Sequence, residues 1–555
     1  MPQSVFKRDS FLLVIVIVLF SLYAGTFIYK TSFVVEGKRY FCLFDDAMVS
    51  MRYARNLAEG NGLVMNSGER VEGITNPLWT LYMALVHLFP IPQETISLVI
   101  QMTAAVFLAL NLVFVRKTAL LISGGLSPVA SAAIVLTAFY LPLINWSLQG
   151  MEVCVLTLLM SVAVWKTLLA MRDRTFPAAV YLLLGAGTLI RIDMAAPFAA
   201  IWLFLTLSMP ELRRKHLVWG AATLAVFLGV QTIARVAYYG DLLPNTYYLK
   251  MTGYPVILRL SRGFAVWWNF IWHMNPLFFL VPVFLLVLGY NHSLGLLGIV
   301  VASQMLYSIY VGGDAWDDWG GSNRYMAIVM PQFFILLAYG LYRIRDIIAG
   351  GDRETETIRH SGASAGKGDK HRCGSRASIL IQRYSFPALV LLSIIQLNNN
   401  SGSLSLRGLA LIDPPPHVEN NRTMVGRAQL VKKITTPDAK IAVTWAGIIP
   451  YFSERYTVDI LGKTDRTIAR LPMRRAPVDK NPYTFFLPGH LKYDYRHSIG
   501  DLKPHAILQF WGDLSEADPY VVDSYVKIMT ADLWVYVLQS SDKIRWDLFQ
   551  TEQQQ

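Results

Sequence analysis

Apolar runs long enough to cross a bilayer recur along the first two-thirds of the chain, separated by short polar segments. The first is Phe11–Tyr29, preceded by Lys7 and Arg8. Its apolar stretch is long and no small-residue cleavage site follows cleanly. It therefore reads as an uncleaved anchor with its N-terminus inside. Later runs predict spans near 94–115, 128–145, 151–170, 176–190, 194–208, 216–238, 276–290, 293–311, 325–345 and 384–398. With the anchor this makes about eleven spans. Pro77–Pro92, at ~16 residues against the usual ~20, reads as re-entrant or partly buried, and a crossing there would make about twelve.

Basic clusters at Arg116-Lys117, Arg172/Arg174, Arg213-Arg214-Lys215 and Arg343/Arg345 each end an apolar run. Positive charge gathers on the cytoplasmic side, so these loops are placed inside. Parity then puts the loop 30–76 and everything after 398 outside the cytoplasmic (inner) membrane. If Pro77–Pro92 crosses, Arg116-Lys117 faces out instead.

After the last run the pattern changes. Residues 399–555 carry polar residues, prolines and short strand-like stretches at Lys440–Trp445, Ala506–Phe510 and Trp534–Leu538. The segment is long enough for its own core and predicts a small extracytoplasmic α/β domain. Residues 347–383, rich in Gly, Ser, Lys and Arg, read as a flexible cytoplasmic linker. The expected organisation is a mainly-α polytopic bundle over 1–346, the linker, a last span at 384–398 and the outer domain over 399–555.

Composition agrees with a membrane class. Of 555 residues 54% are hydrophobic and 16% charged, below the quarter expected of a soluble domain. The net charge of +12 suggests nucleic acid at first sight. Its confinement to loop ends assigns it to topology, and no nucleic-acid partner is expected. Under this topology Cys42 is external, Cys154 is within a span and Cys373 is cytoplasmic, so no disulfide is expected.

The first outer loop holds the most informative residues, the adjacent Asp45 and Asp46. From Asp46 to Ala58, Ala47, Met51, Ala54 and Ala58 share one helical face, while Arg52, Arg55 and Glu59 share another. That pattern predicts an amphipathic helix on the membrane surface. Its N-terminal dipole favours a carboxylate that stays ionised and able to take a proton. One Asp suffices as an N-cap; the second is left over. Val256–Met274, with Arg259, Arg262, Trp267, Trp268 and Trp272, reads as a further surface helix or as a tilted part of the following span.

Other polar clusters fall on the same side of the predicted topology. They are Glu69–Thr80 with Glu72, Asn76 and Trp79, then Gly150-Met151-Glu152, then Arg191-Ile192-Asp193. Tyr238–Lys250, with Asn245, Tyr247 and Lys250, follows, and Gly312-Gly313-Asp314 precedes Arg324. Each alone reads as a loop or cap, and Arg191 with Asp193 as an internal ion pair. Gathered on one face, they predict a shared polar cavity.

These residues resemble the GT-C membrane glycosyltransferases, and among them the terminal arabinofuranosyltransferases of actinobacterial cell-wall assembly and their bacterial relatives. The likeness rests on the Asp45-Asp46 loop, the Glu69–Thr80 string, Gly150-Met151-Glu152, the run Gly240–Lys250 and Gly312-Gly313-Asp314. It extends weakly through Ala446–Tyr451 and Pro488-Gly489-His490. The resemblance implies a GT-C-type bundle, a polyprenyl-phosphate sugar donor (arabinofuranose or a related sugar), a glycan or glycolipid acceptor outside the membrane, and inverting transfer. An acid of the first outer loop is then the general base, so Asp45 or Asp46 carries that role. Asp45 is favoured because Asp46 is better placed to cap the helix. The run Met48-Val49-Ser50 departs from the more aromatic or β-branched run of relatives and bears on the acceptor groove.

The chemistry needs a carboxylate to take the acceptor's proton and cations aimed at the leaving phosphate. Candidates for the phosphate are Lys250, Arg191, Arg324 and Arg52, in that order. Glu72, Asn76, Trp79, Glu152, Asp193, Asn245, Tyr247, Asp314 and His490 are expected at the acceptor or on the cavity wall. A divalent Mg, Mn or Ca ion bridging phosphate and Asp suits hard oxygen ligands, but the sequence does not require one. A transporter or flippase of a lipid-linked saccharide is the rival class, and an assembly scaffold a third. No internal repeat supports transport, and transport has no need of a large outer domain.

Overall fold

The computed structural model describes residues 3–315, 323–348, 376–399, 405–474, 486–530 and 533–550. Of the predicted linker, 349–375 lie outside the described residues, as does Cys373. Cys42 and Cys154 are buried free thiols.

Helices dominate the chain up to Leu397, but the expected eleven or twelve spans are not observed. Among the described residues, five helices are long and apolar enough to cross a membrane: Phe11–Thr31, Ile96–Ile122, Val153–Asp173, Pro210–Tyr239 and His292–Val311. Two bent pairs raise the count to at most seven, Ser127–Ala138 with Leu141–Leu148 at 49° and Val256–Met274 with Pro276–Leu288 at 97°. The reason for the correction is local. The runs 176–190 and 194–208 stop at Arg191–Asp193 and give short helices, Ala178–Ile190 and Ile192–Ser208. The run 325–345 breaks at Ile328-Val329 between Arg324–Ala327 and Met330–Ile348. The first two helices fall short of the ~20 residues that a crossing needs, and Met330–Ile348, at 19 residues, carries Arg343, Arg345 and Asp346 in its last turns.

The lipid-facing character of the module is plain in Arg213–Tyr239. His216, Gly220, Thr223, Gln231, Arg235 and Tyr239 are its buried positions. Val226, Val230 and Ile233 are 58–70% exposed. Such an inverted pattern is stable where the surrounding solvent is hydrocarbon. Val256–Met274 shows the same logic as a ladder: Val256, Leu260, Phe264, Trp268 and Trp272, each four residues apart, are exposed, whereas Arg259 and Arg262 are buried. Arg262 Nη1 donates to the Gly312 carbonyl at 2.5 Å.

The C-terminal part contains a five-stranded sheet built from β3 (Lys440–Val443), β4 (Tyr456–Asp459), β5 (Ala506–Ile507), β6 (Tyr525–Thr530) and β7 (Leu533–Leu538), in the order β4-β3-β5-β7-β6. A separate hairpin, β1 (Phe33–Val35) with β2 (Lys38–Tyr40), lies in the first loop. Strand β3 runs parallel to β4 and β5, and β7 runs antiparallel to β5 and β6. One core joins the sheet to the helical module. Ile441, Val443, Ile448 and Val535 pack in the same cluster as Met48, Trp146 and Phe334.

Candidate active site

The helix Asp45–Ala58 begins the site. It is not a surface helix: ten of its residues are buried, including Met48, Ser50, Arg52 and Tyr53. The C-terminal part packs on it through Ile448–Ser453. Contact is so close at Gly447 that a Cβ there would stand 2.0 Å from the Asp45 carbonyl oxygen, so only glycine fits.

The two aspartates have different partners. Asp45 Oδ1 accepts the Ile448 N–H at 2.9 Å and so anchors the start of the helix Ile448–Ser453. Burial raises the Asp45 carboxyl to about 6, against the opposing pull of that N–H and of Lys463. Asp46 does not cap its own helix. Its Oδ2 accepts from Arg324 Nη1 at 2.9 Å and its Oδ1 from Lys463 Nζ at 2.5 Å. Burial alone would raise Asp46, but Lys463, Arg324 and Lys250 outweigh it and hold the carboxyl well below the usual range.

Two of the cations are fixed by neighbouring side chains. Asp314, fully buried, accepts the Arg324 backbone N–H at 3.1 Å and lies 3.2 Å from Arg324 Nε. Asn323 caps the short helix that carries Arg324. Lys463 lies in the turn after β4. Asp459 binds that turn from inside, accepting N–H groups of Leu461, Gly462 and Thr464. Gly462 supplies the left-handed φ of +75° that the turn needs. Asn245 Nδ2 clamps it from outside, through the carbonyls of Gly462, Lys463 and Asp465 at 3.0–3.1 Å. Lys250 comes from the same short helix as Asn245, Asn245–Met251. Burial, then Arg324, lowers its ammonium to about 8.

These groups sit where two cavities meet. The first, about 120 Å³, opens against the helical module and is walled by Met151, Ile192, Met251, Tyr307 and Val311 beside Ser50, Asn76, Asp193, Thr246 and Tyr247. The second, about 40 Å³, lies under the C-terminal part, against Thr444, Trp445, Ala446 and His490. Asp46, Lys250, Ala315, Arg324 and Lys463 line both. Asp45 lines only the second. Thr444, Trp445 and Ala446 and, also on this wall, Asp459, Leu461 and Lys463 stand at the carboxyl ends of the parallel strands β3 and β4, where open α/β sheets bind ligands.

Of the residues expected from sequence, Asn76, Arg191, Asp193 and Tyr247 join Asp46, Lys250 and Arg324 around the first cavity, and Asp45 and His490 line the second. Burial lowers the His490 imidazole to about 4, so it is neutral at pH 7. Arg191 is already committed, donating to Asp193 at 2.9 and 3.0 Å and to Glu152 at 2.7 Å. Glu152 also accepts from Asn76 at 2.7 Å, and Asn76 in turn accepts from Ser50 at 2.8 Å. Glu152, Asn245 and Asp314 thus stand behind the wall and hold residues that form it. Arg52 is not at the site; its Nε donates to the Met65 carbonyl at 3.3 Å. Glu72 pairs with Arg235, and Trp79 donates to the Gly150 carbonyl at 3.0 Å. Sequence reading missed Lys463. Its signal was a Gly-Lys-Thr turn directly after a short β-like run.

Residues 416–537 match a family described as Domain of unknown function (DUF8728). A terminal beta-(1->2)-arabinofuranosyltransferase of Mycobacterium tuberculosis is 24% identical over 335 residues, which is 53% of this chain and 51% of that relative. The chain thus spans about half the length of that curated relative. Among solved structures, ArnT from Cupriavidus metallidurans bound to undecaprenyl phosphate superposes with a TM-score of 0.52 at 12% identity, covering 96% of this chain and 98% of the other. The oligosaccharyltransferase of Archaeoglobus fulgidus in its apo form gives 0.51 at 10% identity, covering 96% and 75%. The chain has the fold of the GT-C membrane glycosyltransferases.

Proposed function

We propose that this protein is an integral-membrane glycosyltransferase that moves a sugar from a polyprenyl-phosphate donor to a glycan or glycolipid outside the cytoplasmic membrane, with inversion. The observation that carries the reading is one carboxylate, Asp46, meeting three cations, Lys250, Arg324 and Lys463, where a larger cavity against the helical module meets a smaller one under the C-terminal part. The first cavity, the larger of the two and walled by helices of the membrane module, suits a lipid-linked donor. The second suits the acceptor. The match to an arabinofuranosyltransferase supports arabinofuranose or a related sugar as the group moved.

The residues assign the steps. The donor phosphate sits on Lys250, Arg324 and Lys463. It competes with Asp46 for Arg324 and Lys463. Once the phosphate neutralises them, Asp46 loses the charge that held its carboxyl low, and it becomes a competent base. An acceptor hydroxyl in the second cavity gives its proton to Asp46 while its oxygen bonds to the anomeric carbon. The bond from that carbon to the phosphate oxygen breaks, and the electron pair stays on the phosphate, where the three cations stabilise it. Attack comes from the side opposite the leaving group, so configuration inverts. Asp45 is the positioning residue that ties the helix Ile448–Ser453 to the catalytic loop.

A resident divalent cation does not fit this arrangement. Such an ion needs several free oxygen ligands. Both Asp46 oxygens face cations and one Asp45 oxygen holds Ile448 N–H. No step is routed through a metal.

Turnover of a polyprenyl-phosphate sugar in detergent micelles tests the reading. Release of polyprenyl phosphate coupled to acceptor glycosylation supports it. Activity seen only as movement of intact lipid-linked saccharide across sealed vesicles would establish the flippase instead.

A further inference from the structure

The sheet carries a third cavity, at the edge away from β4. Along β7 the side chains alternate. Val535 and Val537 are buried in the core that includes Val425 and Ala428 of Val418–Ile434, while Trp534 and Tyr536 lie half-buried on the other face. Phe510, just after β5, completes an aromatic wall. Its ring stacks near Trp534, with centroids 6.1 Å apart and planes 16° apart, and meets Tyr536 edge-on at 5.4 Å. The Arg427 guanidinium lies 4.9 Å over Trp534, and Arg427 also donates to the Leu508 carbonyl, so the indole is held in place. The cleft is about 320 Å³, with Leu514, Asp518 and Lys527 on its rim. Lys527 stands directly across from Tyr536 in the β6–β7 ladder, on the same face.

We infer that this cleft binds a segment of carbohydrate chain. A sugar ring has a face of C–H groups and an edge of hydroxyls. The C–H face packs on aromatic rings, whose faces carry negative potential. The hydroxyl edge needs donors and acceptors, which the Lys527 ammonium and the Asp518 carboxylate supply. A lipid chain would leave these two exposed charges without a role. A nucleotide would set its phosphate charge against one cation and one anion. The volume lies at the small end of the ~300–1,000 Å³ usual for ligand sites and suits one or two sugar rings.

The place of the cleft gives it a role. It lies at β7 and β6, whereas the reaction centre lies at the ends of β3 and β4. At roughly 4.8 Å per strand, β4 and β6 are separated by roughly 19 Å. A polymer seated in the cleft is therefore held several sugars from the transfer point, as a grip on the acceptor. That role, though not the binding itself, rests on the transferase reading.

The test is calorimetric titration of the full chain in detergent micelles with a linear arabinofuranose hexasaccharide and, for comparison, a mannose hexasaccharide. At least one should bind. Trp534→Ala should weaken that binding about tenfold or more. Lys527→Glu, a surface change that spares the aromatic wall, should also weaken it and serves if Trp534→Ala does not fold. Asp46→Asn should bind as the wild type does. That last result, found together with no transfer in any preparation, would sink the transferase reading and leave the cleft standing. Absence of binding by both oligosaccharides would overturn the inference, as would wild-type binding in every folded cleft variant.

Discussion

Replacing Lys463 with methionine removes a charge and keeps the stem of the side chain. Lys463 Nζ stands 2.5 Å from Asp46 Oδ1, and both side chains are 21% exposed. A hydrogen bond to a charged group at such depth contributes roughly 1.5–3 kcal/mol. The donor phosphate inherits that contact when it displaces Asp46, while Lys250 and Arg324 still hold it from their own sides. Loss of one contact of three should raise the donor KM roughly 10–100-fold. The acceptor KM should change much less. Thermal stability should fall only slightly, because Asp46 keeps Arg324 at 2.9 Å. Initial rates against donor concentration in micelles, at saturating acceptor, give the number. A folded Lys463→Met variant with an unaltered donor KM would refute the three-cation cradle and return the C-terminal part to a purely structural role.

Three further outcomes follow from the same geometry. The Asp45 carboxyl is raised in the folded state to about 6, so its contribution to stability is present below its unfolded value and is lost as pH rises through about 6. Asp45→Asn, whose amide oxygen can still accept the Ile448 N–H, should raise the melting temperature at pH 7.5, and the gain should vanish near pH 4; a gain that persists in acid contradicts the buried-carboxyl account. Lys250, lowered to about 8, loses its charge as pH rises through that value, so kcat/KM for the donor should fall above about pH 8 and Lys250→Arg should remove the fall. Transfer should survive exhaustive chelation; activity lost to chelator and restored by Mg, Mn or Ca would show that a cation displaces the observed pairs.

The candidate site was legible wherever polar residues interrupt apolar surroundings. The adjacent aspartates and the run from Gly240 to Lys250 stood out for that reason, and the structure puts Asp46 and Lys250 on one cavity. Residue type misled at Arg52, which is an arginine in the right helix but faces the Met65 carbonyl. Lys463 escaped because its partner is 417 positions away and only the folded chain brings them together. Asp45 was favoured as base on the expectation that Asp46 caps its helix. Asp46 turns to Arg324 and Lys463 instead, and Asp45 is engaged by a backbone N–H that no local pattern reveals. The span count failed for a related reason. A hydropathy window reads 176–208 as two crossings but does not show that the Arg191 ion pairs sit in a turn between short helices. The strands at Lys440–Val443, Ala506–Ile507 and Leu533–Leu538 were legible as alternating or continuous apolar stretches, but their order in the sheet was not.

The central claim is that Asp46 takes the acceptor's proton. Asn keeps the size of Asp and removes its basicity, so the direct measurement is the rate of polyprenyl-phosphate release coupled to acceptor glycosylation in micelles for Asp46→Asn beside Asp45→Asn. Asp46→Asn should lose about 10²–10⁴-fold in turnover with its fold intact, and Asp45→Asn should lose much less. Full turnover in Asp46→Asn, or the larger loss in Asp45→Asn, would contradict it.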